Sequence, residues 1–193
     1  MAPPRKADPL HRMVFTTNSL RNTTIAVDDD ALYYEIVTRY WHPNLTKIFK
    51  LDKEIREMLL IAELERVPGQ PAKIRFGGEH GEWVSEEEFL RWDPETRGGT
   101  FTGGEGVQYR WKSHNRRLQL IRADDDQKVP LAKYHTYRRH FFVFRMSRHA
   151  FLEVKSEATE AMDKLIMSYL LVERKRRDTG LQLPVKKGKT VNA

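Results

Sequence analysis

The chain has 193 residues, enough for one ordinary domain that buries roughly 70% of the surface its unfolded form exposes, so no second domain is required. It contains no cysteine, which excludes disulfides, cysteine-ligated zinc and thiol catalysis. Its net charge of +7 favours anionic partners such as nucleic acid or acidic lipid headgroups, with plain solubility as the bland alternative.

Hydrophobic residues make up 39% of the chain and include four Trp, seven Tyr and nine Phe, too many for a disordered polymer and enough to build a core. No apolar stretch follows the basic residues of the N-terminus. No later segment reaches the roughly 18 uncharged apolar residues of a membrane span, so an intracellular, soluble protein is expected, cytoplasmic first with the nucleus as the alternative. The sequons at Asn22 and Asn44 read as chance, because nothing directs the chain to the secretory pathway.

From Thr23 onward, short β-branched and aromatic runs alternate with turn signals, the pattern of an antiparallel meander. Thr23 to Val27 is the first expected strand. After Asp28-Asp29-Asp30, Leu32, Tyr34 and Ile36 alternate with Tyr33, Glu35 and Val37, placing one set inward. His42-Pro43-Asn44 marks the next turn, followed by strands over Leu45 to Leu51 and Ile55 to Leu64, then Ala72 to Phe76, Trp83 and Val84. Ser85 and Glu88 stand at the spacing of a capping box, predicting a short helical turn that carries Phe89 and Leu90 inward until Asp93-Pro94 stops it. The glycines from Gly98 to Gly106 read as turn chemistry ahead of a strand over Val107 to Lys112, paired with Leu118 to Ala123. A second aspartate turn leads to strands over Val129 to Tyr137, Phe141 to Met146 and Phe151 to Val154.

Ser156 is the expected N-cap of the one long helix, with Glu157 and Glu160 in its first turn and Arg174 to Arg177 at its end, the order the helix dipole favours. Met162, Leu165, Ile166, Met167, Tyr169, Leu170, Leu171 and Val172 cover nearly its whole circumference. Such a helix must be surrounded, and with only strands available the economical solution is a sheet curled around it. The expected fold is therefore α+β, mostly β, an antiparallel closed or nearly closed barrel around a C-terminal hydrophobic helix. Residues 1–12 and 178–193 read as flexible tails, the second of them basic, flanking a single domain at 13–177.

The run Thr100-Phe101-Thr102-Gly103-Gly104-Glu105-Gly106-Val107-Gln108-Tyr109-Arg110-Trp111-Lys112 resembles the motif of a fungal family of unknown function, numbered 6593 among such domains and common in mushroom-forming fungi. The elements after it follow the family's order: a Leu-containing strand, an acidic turn, a strand like Leu131 to Tyr134, and a helix ending Leu171-Val172-Glu173-Arg174-Lys175-Arg176-Arg177. The resemblance covers about Val14 to Arg177, with a more polar Val107-Gln108 step and a basic stretch from Tyr134 to His149 as departures. It implies kinship with the tubby C-terminal, phospholipid scramblase and LURP-one group, hence a tubby-like barrel threaded by a hydrophobic helix. That group includes phosphoinositide binders, and the resemblance implies fold better than activity.

Between Lys133 and His149 no acidic residue occurs, while Lys133, Arg138, Arg139, Arg145 and Arg148 interleave with Tyr134, Tyr137, Phe141, Phe142 and Phe144. Cations that meet phosphates beside aromatics that enter an interface suit acidic lipid or single-stranded nucleic acid. The bland alternative is a hairpin with Phe inside and Arg in water. Arg110 and Lys112, with Arg116 and Arg117, join the patch where the strands are neighbours. No two histidines have the spacing of a zinc hydrolase, and the aspartate runs lack a calcium loop's ligands. The glycines lack a phosphate loop's Lys-Ser/Thr, no nucleophile elbow occurs, and Glu86 to Glu88 read as a helix start rather than glycosidase carboxylates. Arg174 to Arg177 with Lys186, Lys187 and Lys189 resembles a split nuclear-import signal, which helix-end basicity explains as well.

No catalytic or metal-ligating residue and no cofactor is expected. The leading expectation is a non-enzymatic domain that binds acidic phospholipid headgroups at a membrane surface through Lys133, Arg138, Arg139, Arg145, Arg148, Arg110 and Lys112. The alternatives are a protein-interaction module and, less favoured, a nucleic-acid binder.

Overall fold

A computed structural model of the chain describes residues 10–27, 33–114, 117–125, 129–136 and 149–181. Among these, thirteen strands and two α-helices follow in the order β1 (Leu10–Phe15), β2 (Thr23–Val27), β3 (Tyr33–Thr38), β4 (Leu45–Asp52), β5 (Glu57–Glu65), β6 (Lys73–Phe76), β7 (Trp83–Ser85), α1 (Glu86–Phe89), β8 (Arg91–Asp93), β9 (Gly98–Thr102), β10 (Gln108–His114), β11 (Arg117–Arg122), β12 (Ala132–His135), β13 (Phe151–Lys155) and α2 (Met162–Leu181). Every strand pairs antiparallel with its sequence neighbours, except across α1, and β1 pairs with β13. The result is one meander whose ends meet at β1 and β13 and whose edges are β7 and β8.

Laid flat, thirteen strands at about 4.8 Å spacing would separate the edges by nearly 60 Å. Only five residues join Ser85 to Arg91, six steps with a reach of about 20 Å at most, so the sheet must roll up. It is not closed, because β7 and β8 do not pair, so of the closed or nearly closed barrel expected from the sequence the structure shows the antiparallel sheet and C-terminal helix without closure. α1 lies in that seam. Ser85 caps it by accepting from the Glu88 amide at 3.1 Å, as the Ser-Glu spacing predicts. Phe89 then reaches both sides of the gap, its ring 5.2 Å from Phe76 and 6.0 Å from Phe101.

The inward set of β3, Tyr34 and Ile36, is fully buried, as the alternation predicts. On α2, Leu165 to Val172 are all buried, so the helix is enclosed by the sheet on every side through two turns. Its one polar residue there, Ser168, is satisfied from two directions: it accepts from Trp111 Nε1 at 2.9 Å and donates to the Leu165 carbonyl at 2.8 Å. Tyr169 packs against Phe15, Trp111 and Tyr134, joining strands on both sides of β13 to the helix.

Several expectations are corrected. β1 begins at Leu10, within the stretch read as a tail, and holds the two halves of the sheet together. α2 runs on to Leu181, past the expected boundary at Arg177. Gly98 to Thr102 is strand rather than turn, pairing with the preceding β8, Trp92 opposite Gly99. Its glycines serve close approach: a Cβ on Gly98 would sit 1.9 Å from the Trp111 carbonyl oxygen. Of the glycines from Gly98 to Gly106 only Gly106 has a positive φ, 78°, beside Glu105 at 52°. Ser156 does not cap α2. It opens a single 3₁₀ turn, Ser156–Ala158, that carries the chain from the wall into the interior before α2 starts at Met162. The strand expected over Val129 to Tyr137 spans Ala132–His135, and Phe141 to Met146 lies outside the described residues.

Candidate functional site

Of the basic residues singled out in the sequence, Arg138, Arg139, Arg145 and Arg148 lie outside the described residues, as does Arg116. Lys133, Arg110 and Lys112 are on the outer face of the sheet. Lys112 stands opposite Gln119, Gln119 opposite Lys133, Lys133 opposite Glu153, and Glu153 opposite Arg12, so one row crosses β10, β11, β12, β13 and β1. The two lysines are therefore two strands apart, about 10 Å. A carboxylate brought from β13 sits beside Lys133 and also meets His135 Nε2 at 3.0 Å. Arg110 lines two cavities of about 430 and 480 Å³, the first shared with Glu87 and Glu88, the second with Glu105 and Asp124. These cations thus alternate with acids. The same holds across β4, β5 and β6, where buried Glu63 lies between Lys47, at 3.3 Å, and Arg75.

A different arrangement occurs at the rim where α2 emerges. The direction of the helix and the meander bring together the β1–β2 loop, the β3–β4 loop, the β5–β6 loop and the last turns of α2. Between them lies a cavity of about 730 Å³ lined by Arg21, Arg66, Arg174 and Arg177, with Glu86 the single carboxylate in its wall. Thr46, Asn44, Gln70 and Ser19 add neutral polar groups, and Pro43, Val67 and Pro68 an apolar border.

Each arginine is held by the fold. Arg174 Nη2 donates to the Leu20 carbonyl at 2.8 Å and to Thr46 Oγ1 at 3.4 Å. Arg177 donates to the Asn18 carbonyl at 3.1 Å and, through Nε, to Glu173 Oε1 at 3.1 Å. Arg21 Nη2 donates to the Pro43 carbonyl at 2.7 Å, while Arg66 is 3.7 Å from Asp178 and half exposed. A guanidinium carries five N–H groups, so these bonds fix the forks without exhausting their donors. Burial, followed by the neighbouring charges of Arg66 and Arg21, lowers the Arg174 guanidinium to about 10, against the partial relief of Asp178 and Glu86. It stays charged at neutral pH, in surroundings that favour an anion.

Helix-dipole logic accounts for Arg174 and Arg177 at the C-terminus of α2. It does not account for Arg21 and Arg66, which arrive from other elements. The sequence pointed to Arg174 through Arg177 as helix-end basicity or an import signal. In the structure Lys175 pairs with Glu86 at 2.9 Å and lies over the Trp92 ring, and Arg176 pairs with Glu173 at 3.2 Å. The Asn22 sequon side chain is likewise engaged, accepting from the Thr38 amide at 2.8 Å, and Asn44 lines the groove.

Among the described residues no group of three or more His, Asp or Glu is placed to hold a metal ion, and no helix is long and apolar enough to cross a membrane. The model of a family of unknown function, DUF6593, matches residues 18–178. No curated protein and no solved structure matches the chain.

Proposed function

The chain belongs to the DUF6593 family of unknown function, and we propose that it is a non-enzymatic recognition domain for acidic phospholipid headgroups, held in the arginine groove at the rim of the rolled sheet. The observation that carries this reading is the charge count of one cavity: four arginines face one glutamate. Elsewhere among the described residues the cations singled out have carboxylates beside them, Glu153 opposite Lys133 and Glu63 between Lys47 and Arg75. Planar guanidinium forks suit phosphate oxygens, with two parallel donors to two acceptors. The volume falls within the range of small-ligand sites, about 300–1,000 Å³, and admits a phosphorylated headgroup rather than a polymer.

This reading carries with it the fungal ancestry and the tubby, scramblase and LURP-one kinship that the motif implies, with the rolled meander as a tubby-like barrel open at one seam. What supports that kinship is the ring order of the strands and the enclosed helix. It also places the protein at the cytoplasmic face of a membrane, as a peripheral binder.

The test is sedimentation with vesicles of phosphatidylcholine alone, with phosphatidylserine, and with phosphoinositide, at low and physiological salt and with a single-stranded oligonucleotide as competitor. The wild type is expected to bind phosphoinositide vesicles at physiological salt without displacement by the oligonucleotide. Arg21→Gln with Arg66→Gln, both on exposed side chains, is expected to weaken binding about tenfold or more, while Lys112→Gln with Lys133→Gln changes it little. Failure of the wild type to bind any vesicle would discard the reading and leave a protein-interaction module; displacement by the oligonucleotide would favour nucleic acid.

A further inference from the structure

The hairpin between β3 and β4 forms one wall of the groove and carries, at its tip, two of the most exposed aromatic side chains among the described residues. Tyr40 is 94% exposed and Trp41 66%. The tip is ordered by its own backbone: the His42 amide donates to the Arg39 carbonyl at 3.1 Å, and the Leu45 amide to the His42 carbonyl at 3.1 Å. Arg39 lies over the Trp41 ring at 5.4 Å, adding a cation beside the two rings. Just behind the tip, the Pro43 carbonyl takes the Arg21 guanidinium at 2.7 Å, and the Asn44 carbonyl takes the Arg66 amide at 2.8 Å. The aromatic tip is thus tied by hydrogen bonds to the residues that supply two of the groove's four arginines.

Exposing two adjacent large aromatics to water is unfavourable, and a β-turn can be built without them. Trp83 is less exposed and stands as a single aromatic under the Arg75 guanidinium at 4.8 Å, and exposed Ile55 and Leu59, at and beside the β4–β5 turn, are aliphatic. Trp and Tyr are the residues that settle at the boundary between lipid headgroups and acyl chains, where the ring meets hydrocarbon and the polar atom meets water. An arginine beside them faces phosphates at that depth.

We propose that the Tyr40–Trp41 tip is a membrane-insertion wedge, which enters the headgroup–acyl boundary of an anionic bilayer while the adjacent groove seats a headgroup phosphate. The proposal rests on the headgroup reading of the groove and adds to it the bilayer itself as the partner and the orientation of the molecule: the rim at the C-terminal end of α2 faces the membrane and the Met162 end faces away. Neither element is strong alone. Attraction of the basic residues to an anionic membrane is weakened by salt, and the wedge supplies apolar burial that salt does not screen.

The experiment uses the full chain with vesicles of phosphatidylcholine and phosphoinositide in which the phosphatidylcholine acyl chains are brominated near the headgroup. Because the chain has four tryptophans, the signal is the difference in fluorescence quenching between wild type and Trp41→Phe. Quenching is expected in the wild type and is expected to fall to the residual level of the other three rings in the variant. In parallel, Tyr40→Ala with Trp41→Ala should weaken vesicle binding about tenfold and leave the calorimetric titration with soluble inositol trisphosphate unchanged. Equal quenching in Trp41→Phe, or undiminished vesicle affinity in the double alanine variant, overturns the wedge while the groove reading stands on the soluble titration. Absence of both vesicle and inositol trisphosphate binding in the wild type overturns both. Since both side chains are exposed, an unchanged thermal melt is expected and separates loss of insertion from loss of fold.

Discussion

The two ends of α2 meet the sheet in opposite ways. At the first turn Asp163 accepts from the Tyr34 hydroxyl at 2.8 Å and from Lys50 Nζ at 3.2 Å, and Lys164 Nζ is taken by the Gly103 carbonyl at 3.1 Å. The one carboxylate there is paired with Lys50, and the second cation, Lys164, is taken by a backbone carbonyl. At the last turns Arg174 and Arg177 are joined by Arg21 and Arg66 around an open cavity whose wall holds one carboxylate, Glu86, while Glu173 and Asp178 pair with Arg177 and Arg66 from just outside it. The helix dipole favours an acid at the first end and bases at the second, so it explains the sign of each end and not the surplus at the second. Like charges gathered from three elements cost stability, and this surplus is the observation on which the proposed headgroup site rests.

The comparison breaks first if α2 is not the enclosed axis of the molecule. Leu170 is fully buried midway between the two ends, so Leu170→Asp places an unpaired carboxylate in an apolar interior. The expected cost is about 4 kcal/mol or more, enough to abolish a cooperative melt. A soluble Leu170→Asp protein with the wild-type melting temperature would remove the central helix from the account.

A smaller effect comes from pH and sharpens the contrast between the two ends. Burial, aided by the charge and hydrogen bond of Asp163, raises the Tyr34 hydroxyl far above the usual tyrosine range, and burial raises Tyr134 and Tyr169 as well. With folded values raised, the unfolded chain loses these protons first, near pH 10, and binds fewer protons than the native state above it. Stability is therefore fully present below about pH 10 and falls as pH rises beyond it. Tyr34→Phe should flatten that alkaline loss in urea melts; a slope identical to wild type would mean Tyr34 ionises freely in the folded protein and the first end is open.

Much of the wall was legible because its signal is local. Tyr34 and Ile36 alternate with polar neighbours, Leu165 to Val172 leave no wet face, and Ser85 stands three residues before Glu88. β1 was missed because Leu10-His11-Arg12-Met13-Val14-Phe15 carries two polar residues near a Pro-rich start, and its status as a strand depends on partners at β2 and β13. The glycines Gly98 and Gly99 look like a turn from sequence because the backbone and Leu90 side chain that crowd them come from elsewhere in the chain. Charge read along the chain is incomplete for the same reason. The run from Lys133 contains no acid, yet Glu153 arrives opposite Lys133 from β13. The groove was not legible, since Arg21, Arg66 and Arg174 are far apart in sequence and only the meander gathers them.

The central claim is that the surplus of charge at one end of α2 is a binding site, and calorimetric titration with inositol trisphosphate compares the ends directly. Wild type and the opposite-end variant Asp163→Asn are expected to give the same saturable isotherm, weakening with salt. Arg21→Gln with Arg66→Gln is expected to lose it by about tenfold or more. An isotherm that survives in the groove variant and disappears in Asp163→Asn would contradict the account.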